Sequence, residues 1–410
     1  MSTTEASPAA RAPAATYPTP ARPGDDRFVS LAAEVGAVAA AHSDAHDRDA
    51  TFVSEAYDAM RANGYLRLAV PEDLGGLGAS IRQVCYAQAE LARHDGATAL
   101  AVAMHMYLTL LQAFRRRQGA ADAEAVLRRV AEEGLVIATS GGSDWLWPTT
   151  VAVPVDGDGD GQSTDGFLVS GRKAFCSQSP GATVVATSAV VGEPGDGAEV
   201  IHFAVPLAAE GVRLDETWDT LGMRGTASHD VVLEDVFVPA DRVMGRRPWG
   251  EFGVPLAAAA IHFAPVGGAT YLGIAMGARD AALARSTATS RGHSPLAQLP
   301  RVHRQVGLMD AKLRVAWWAL LGAIDELGDD YGVDPQALAT VMIAKRQAVI
   351  DAIAVVDLAM EVLGGRAYFR SARFERAYRD VRAGTFHPLT PEATLAYAGK
   401  LALGYPGVTE

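Results

Sequence analysis

The chain has 410 residues, 49% of them hydrophobic and 20% charged, and a formal net charge of −12. That length can bury more than one core, and that composition is too apolar for a disordered chain. The negative charge, with no Lys/Arg tract to offset it, argues against nucleic acid and anionic membrane as partners.

Residues 1–26, rich in Ala, Pro and Thr, read as a disordered, solvated tail. From 27 to 136 apolar residues recur at three and four, as in FVSLAAEVGAVAAAH and IRQVCYAQAELARH, which predicts an N-terminal helical domain. Between 137 and 245 the pattern changes to short β-branched runs, GFLVSG, ATVVATSAVV, VIHFAVPL and VVLEDVFVP, punctuated by Gly, Asp and Pro. This is a β domain. The acidic connection DGDGDGQSTDG (156–166) lacks the closing Glu of a calcium loop and reads as a hairpin loop. From 250 to 410 helical periodicity returns in segments 252–287, 299–327 and 335–363, long enough for a bundle of antiparallel helices. No apolar run reaches the roughly 18–20 residues that span a bilayer. Cys85 and Cys176 are the only cysteines, too few for a disulfide framework, and a reducing, cytoplasmic setting is expected. The histidines form no short-spaced metal cluster; His42 and His46 read as a solvated helix face, and Arg115–Arg117 as a helix end in solvent or a contact for a phosphate-bearing arm.

Six segments occur in one order: VPEDLGGLGA (70–79), ATSGGSD (138–144), GFLVSGRKAFCSQSPGA (166–182), WDTLGMRGTASHDVVLEDVFVPADRV (218–243), MEVLGGRAYF (360–369) and ERAYRDVRAGTF (375–386). Together they resemble the acyl-CoA dehydrogenase superfamily of flavin enzymes, with features of its monooxygenase branch, the p-hydroxyphenylacetate hydroxylase and dibenzothiophene monooxygenase type. The resemblance implies an α+β multi-domain fold: a helical domain, a middle β-barrel and a C-terminal four-helix bundle. It implies FAD, or reduced FMN, as cofactor, and a homodimer or homotetramer. By the same resemblance Thr139 and Ser143 contact flavin and substrate, in a turn one residue shorter than the family's TEPGAGSD. Phe175 packs on the flavin, and Ser177 stands near its N5. Cys176 between them reads as core. Arg224, behind Trp218, is a candidate for a substrate phosphate or carboxylate, or for a structural ion pair. Arg291 matches a pyrophosphate contact, and Gly364 and Gly365, beside Glu361, match a turn that approaches the FAD of a neighbouring subunit.

The family's dehydrogenases carry a Glu base after the RD segment or on the first bundle helix. Alignment from Arg379-Asp380 puts Pro388 there, beside His387, and the helix position falls at His262-Phe263. Neither offers a carboxylate. Glu392 reads as a helix start, with Thr390 as N-cap and Pro391 at the first helical position. His387, just after the RD segment, resembles the histidine with which the superfamily's flavin monooxygenases act on the substrate's acidic proton, and is the candidate acid/base; His105, in AMHMYL, lies where dibenzothiophene monooxygenase has an active-site His and is a second candidate. Tyr107, Trp145, Trp147, the first bundle helix and the His387 loop frame the expected pocket.

Two readings stay open. In one, a flavin C4a-hydroperoxide stabilised by Ser177 oxygenates a small molecule that His387 activates, and a flavin reductase supplies the reduced cofactor. In the other, an acyl-CoA or carrier-bound thioester is desaturated with Glu392 or another residue as base, and electron-transferring flavoprotein or oxygen takes the electrons.

Overall fold

The computed structural model describes residues 18–156, 165–288, 294–329, 331–370 and 373–405. Residues 1–17, most of the 156–166 connection and Arg291 lie outside the described residues.

The N-terminal region is helical, with α1 (Val29–Asp49), α2 (Ser54–Asn63), α3 (Ile81–His94), α4 (Gly96–Arg117) and α5 (Ala121–Glu132). Local chemistry sets the boundaries. Ser80 and Gln83 form a reciprocal capping box at the start of α3, and the Asp95 carboxylate caps α4 through the Thr98 N–H at 2.8 Å. Residues 18–26 are mostly exposed but pinned at one point: Asp25 is buried and accepts from Arg82 Nε at 2.9 Å, while Arg82 Nη1 donates to Asp325 at 2.9 Å. A buried guanidinium needs carboxylates, and these two lie 300 residues apart along the chain, at 25 and 325. His46 is likewise buried, held between Thr51 and Glu55 at 2.8 Å each, not on a solvated face.

The middle region contains β1 (Ile137–Thr139), the short α6 (Gly142–Leu146), β2 (Val151–Val155), β3 (Gly166–Lys173), β4 (Val184–Val191), β5 (Glu199–Pro206), β6 (Val212–Asp215), β7 (Asp230–Pro239) and β8 (Gly245–Pro248). The sheet runs β6-β7-β3-β2-β4-β5-β8, with β1 added in parallel to β4. It curls around its own core of Phe167, Val169, Val185, Ile201, Phe203, Val231 and Leu233, with Cys176 inside it. Alternate side chains supply that core, as the period of two requires. A bulge between Val169 and Gly171 bends β3 where it pairs with β7.

The C-terminal region consists of α7 (Gly253–Thr287), α8 (Pro300–Leu327), α9 (Pro335–Leu363), α10 (Arg373–Val381) and α11 (Pro391–Ala402). Helix α7 is apolar on every side because it is surrounded by α3, α4, α8 and α9. A Cβ at Gly273 would sit 2.3 Å from the Ala89 carbonyl oxygen, and one at Gly277 2.4 Å from that of Arg93, so α7 lies directly on the backbone of α3. Length and apolarity alone would let α4 and α7 cross a membrane, contrary to the sequence expectation, but 94% and 83% of their apolar windows are buried inside the protein. One core therefore runs through both helical regions, while a second fills the sheet.

Candidate active site between the sheet and the bundle

The site is built around the turn that follows β1. Strand β1 is buried, and after Thr139 the chain turns through Ser140–Gly142 into α6. Lys173, at the end of β3 and fully buried, anchors that turn from inside the sheet: Nζ donates to both Asp144 carboxylate oxygens, at 3.0 and 3.1 Å, and to the Ser188 carbonyl. Burial pulls the Lys173 pKa down and the Asp144 charge opposes it. Ser140 Oγ donates to Asp144 at 2.7 Å, which completes the anchor.

Two other segments touch this turn. A Cβ on Gly141 would lie 3.2 Å from Phe175, and one on Gly142 would lie 2.2 Å from Pro388. Glycine is required because the His387 loop presses on the turn. Phe175 has φ +58° and is 59% exposed, its ring standing edge-on to Trp218 with centroids 5.9 Å apart. A positive φ costs a side-chain-bearing residue roughly 1–2 kcal/mol, and here it holds an aromatic ring out of the core. Ser177 Oγ bonds Ser228 Oγ at 2.8 Å, which in turn bonds Thr226 at 2.7 Å, a short chain of hydroxyls. Ser143 is exposed in the first turn of α6.

A line of contacts links the turn to His387. Thr139 Oγ1 accepts from Trp145 Nε1 at 2.7 Å, and Tyr107 stands beside it. The Tyr107 ring meets Phe263 edge-on at 5.5 Å, and Phe263 meets the His387 ring edge-on at 5.8 Å. His387 Nδ1 and the Tyr271 hydroxyl are 2.7 Å apart. Burial, then the Lys345 charge, push the His387 pKa down to about 3, so the imidazole is neutral. Its Nε2 makes no hydrogen bond to any described residue.

Family-level comparison agrees with this arrangement along the chain. Residues 29–132 match the acyl-CoA dehydrogenase N-terminal domain, 139–236 its middle domain and 266–392 its C-terminal domain. The chain belongs to the acyl-CoA dehydrogenase family. Amino sugar nitrososynthase DnmZ of Streptomyces peucetius is 33% identical over 405 residues, covering 94% of this chain and 95% of that protein. Amino sugar nitrososynthase RubN8 of Streptomyces rubradiris is 32% identical over 375 residues, covering 88% and 85%. The X-ray structure of KijD3 in complex with FMN and dTDP-3-amino-2,3,6-trideoxy-4-keto-3-methyl-D-glucose superposes with a TM-score of 0.82 at 26% identity, covering 95% of this chain and 96% of that one.

Several residues expected in the site of this family member do other work. His105 is fully buried in α4, accepts from the Ile137 N–H at 3.2 Å and donates through Nε2 to the Leu66 carbonyl at 2.6 Å. Both ring nitrogens are bonded to backbone, and burial pushes its pKa down to about 4. Arg224 donates to the Asp47, Arg48 and Thr220 carbonyls and to the Asp219 carboxylate, so its guanidinium is engaged within the protein. Trp147 turns away from Trp145, packs on Trp249 at 4.6 Å, and lines a cavity of about 750 Å³ beside β8 with Arg246, Arg247 and Glu251. Gly364 and Gly365 are exposed past the C-terminus of α9, and Glu361 accepts from Gln305 at 3.2 Å. Glu392 is exposed in the first turn of α11, where Thr390 caps the Ala393 N–H at 3.2 Å. His262 is closed off between the Ala258 carbonyl and the Tyr331 hydroxyl, and its neighbour Phe263 is the one that reaches the site.

Sequence reasoning met Phe263 only as a position without a carboxylate, and missed Tyr271, Lys173 and Lys345. The one available signal was a lysine inside the apolar run ATVMIAKRQAVIDAIAVV, since lysine is almost never fully buried without a task.

Proposed function

We propose that this enzyme is a flavin-dependent monooxygenase that oxidises the amino group of a nucleotide-linked amino sugar, with reduced FMN or FAD delivered by a separate reductase. The observation that carries the reading is His387: beside the position where a dehydrogenase carries its carboxylate, the loop presents a neutral imidazole tied to Tyr271 through Nδ1. Amine oxidation needs a nitrogen lone pair, so the substrate must lose an N–H proton or share it. With Tyr271 oxygen accepting from Nδ1–H, Nε2 holds a lone pair to receive that N–H. Being neutral across the physiological range, it does not repel an ammonium group. The acyl thioester reading gains no base, because Glu392 points from an exposed helix start.

The residues present fit a flavin. The exposed Phe175 ring offers an apolar face, and the Ser177 and Ser143 hydroxyls with the Gly141–Gly142 backbone offer a polar rim that approaches closely. When bound, reduced flavin supplies the electrons that activate dioxygen. Phe263 and Tyr107 wall the substrate space with rings and keep water from it. The same reading takes the chain as at least a homodimer: after the Gly364–Gly365 turn, Tyr368 and Phe369 are 83% and 67% exposed, an apolar surface that a second copy would cover.

The test is product mass. Enzyme, FMN, a flavin reductase, NADH and a dTDP-amino sugar under oxygen-18 gas should yield a sugar carrying the heavy isotope on nitrogen. His387→Ala should bind FMN normally and lose that product. Oxygen-independent desaturation of an acyl-CoA, or full turnover by His387→Ala, would overturn the reading.

A further inference from the structure

The His387 loop is held by a group that no motif marks. Lys345 projects from the middle of α9 and is 1% exposed. An ammonium has three N–H donors, and here three backbone carbonyls take them: His387 at 2.7 Å, Pro388 at 3.1 Å and Leu389 at 2.9 Å. The Phe263 ring stands 5.7 Å from Nζ, and this is the ring that meets both Tyr107 and His387. Among the described residues Lys345 has no carboxylate partner. A buried cation without a counter-ion is costly, and nothing in the packing of α9 calls for one.

We propose that Lys345 is the positioning residue of this site: its ammonium gathers three consecutive carbonyls and thereby fixes the loop that presents the His387 ring to the substrate. The inference rests on His387 being the acid/base group. Three consecutive carbonyls cannot converge in a regular helix or strand, so the cation sets a backbone shape that no side-chain packing would select. The loop is then fixed on three sides, by Lys345 from α9, by Tyr271 from α7 and by the Gly142 turn against Pro388. The charge has a second consequence. It disfavours a proton on the neighbouring imidazole, which keeps His387 an acceptor. The titratable groups that face His387 are Lys345 and Tyr271; Tyr107 stands one ring away across Phe263, and Asp380 bears on Tyr271. Burial pushes Lys345 itself down to about 7.

The readouts on Lys345 itself need no substrate. Lys345→Met keeps the stem and removes the donors, and two readouts follow on the FMN-loaded protein. Hydrogen exchange of the 385–390 amides should quicken at least about tenfold while α7 and α9 stay as they are. Diethyl pyrocarbonate, which reacts with neutral imidazole, should show the His387 midpoint moving up toward 6.5. Unchanged exchange in the loop together with an unmoved midpoint overturns the proposal. If the variant loosens α7 and α9 as well, the wild-type protein decides: from about pH 6 to about pH 9 the loop's protection factors must fall while those of α7 and α9 hold, and constant loop factors overturn it. His387→Ala, assayed alongside, separates the two claims. Lost turnover there with a flat Lys345→Met result sinks only the positioning role, and retained turnover there with a loosened loop sinks only the function.

Discussion

Lys173→Met tests how the turn beside the flavin space is held. The side chain is fully buried and bonds both Asp144 oxygens, at 3.0 and 3.1 Å, as well as the Ser188 carbonyl. Removing one partner of a buried pair costs about 3–5 kcal/mol, because a charge is left behind. Asp144 keeps its bond from Ser140 at 2.7 Å, and its side chain is 13% exposed, so water replaces part of the loss. We expect about 2–3 kcal/mol in a guanidinium titration followed by circular dichroism. Because the same carboxylate fixes α6 and the Gly141–Gly142 turn, FMN affinity measured by fluorescence quenching should weaken by about tenfold, or about 1.4 kcal/mol. Adding Asp144→Asn removes the orphaned charge and should return about 1 kcal/mol or more of stability, a coupling that a double-mutant cycle reads directly. A Lys173→Met protein within about 0.5 kcal/mol of wild type, binding FMN equally well, would refute the anchor.

Other substitutions probe the remaining links. Gly142→Ala drives a methyl group against Pro388, 2.2 Å away, so turnover should fall at least about tenfold as the His387 loop shifts, with stability changed by about 1–3 kcal/mol; wild-type turnover would mean the two segments do not meet. His105→Gln should cost about 1–3 kcal/mol at neutral pH yet keep turnover, since the loss is a buried acceptor for the Ile137 N–H. Its folded pKa near 4 lies below the unfolded value of about 6.5, so the wild-type fold is favoured above pH 6.5 and loses that stability as pH falls toward 4; the glutamine variant should flatten this acid limb by about 1.4 kcal/mol per pH unit in denaturation midpoints. Glu392→Gln should leave turnover within about twofold and cost about 0.3–1 kcal/mol as a helix-start charge, and a collapse of activity would return it to the chemistry.

The order of folds was legible because period and punctuation carry it: helices by threes and fours, the sheet by β-branched runs between glycines. The Gly141–Gly142 turn, Phe175 and His387 were legible as motif positions. What the residues touch was less so. Arg224 could equally grip a ligand or a carbonyl, and only the placement of Asp47, Arg48 and Asp219 decides. His105 sits in a segment indistinguishable from an active-site helix until the Ile137 and Leu66 backbone is seen to saturate it. Lys173 and Lys345 were missed for a different reason: a lysine is expected at the surface, and each acts on a partner 29 to 44 residues away along the chain. Residues 18–26 read as tail because the Arg82 that captures Asp25 lies 57 residues on.

The glycine contact between α3 and α7 also sets a timetable for synthesis. Helix α3 ends at His94 and α7 at Thr287, so 193 residues must emerge before the surface of α3 finds its cover. At about 5–20 residues per second that is a wait of roughly 10–40 seconds. During it the sheet can close on its own core, while the faces of α3 and α4 that α7 will cover stay open to solvent. The nascent chain is therefore a natural client for holding chaperones over that interval, and a transcript cut short before α7 would yield a protein with a folded middle and an unfinished beginning.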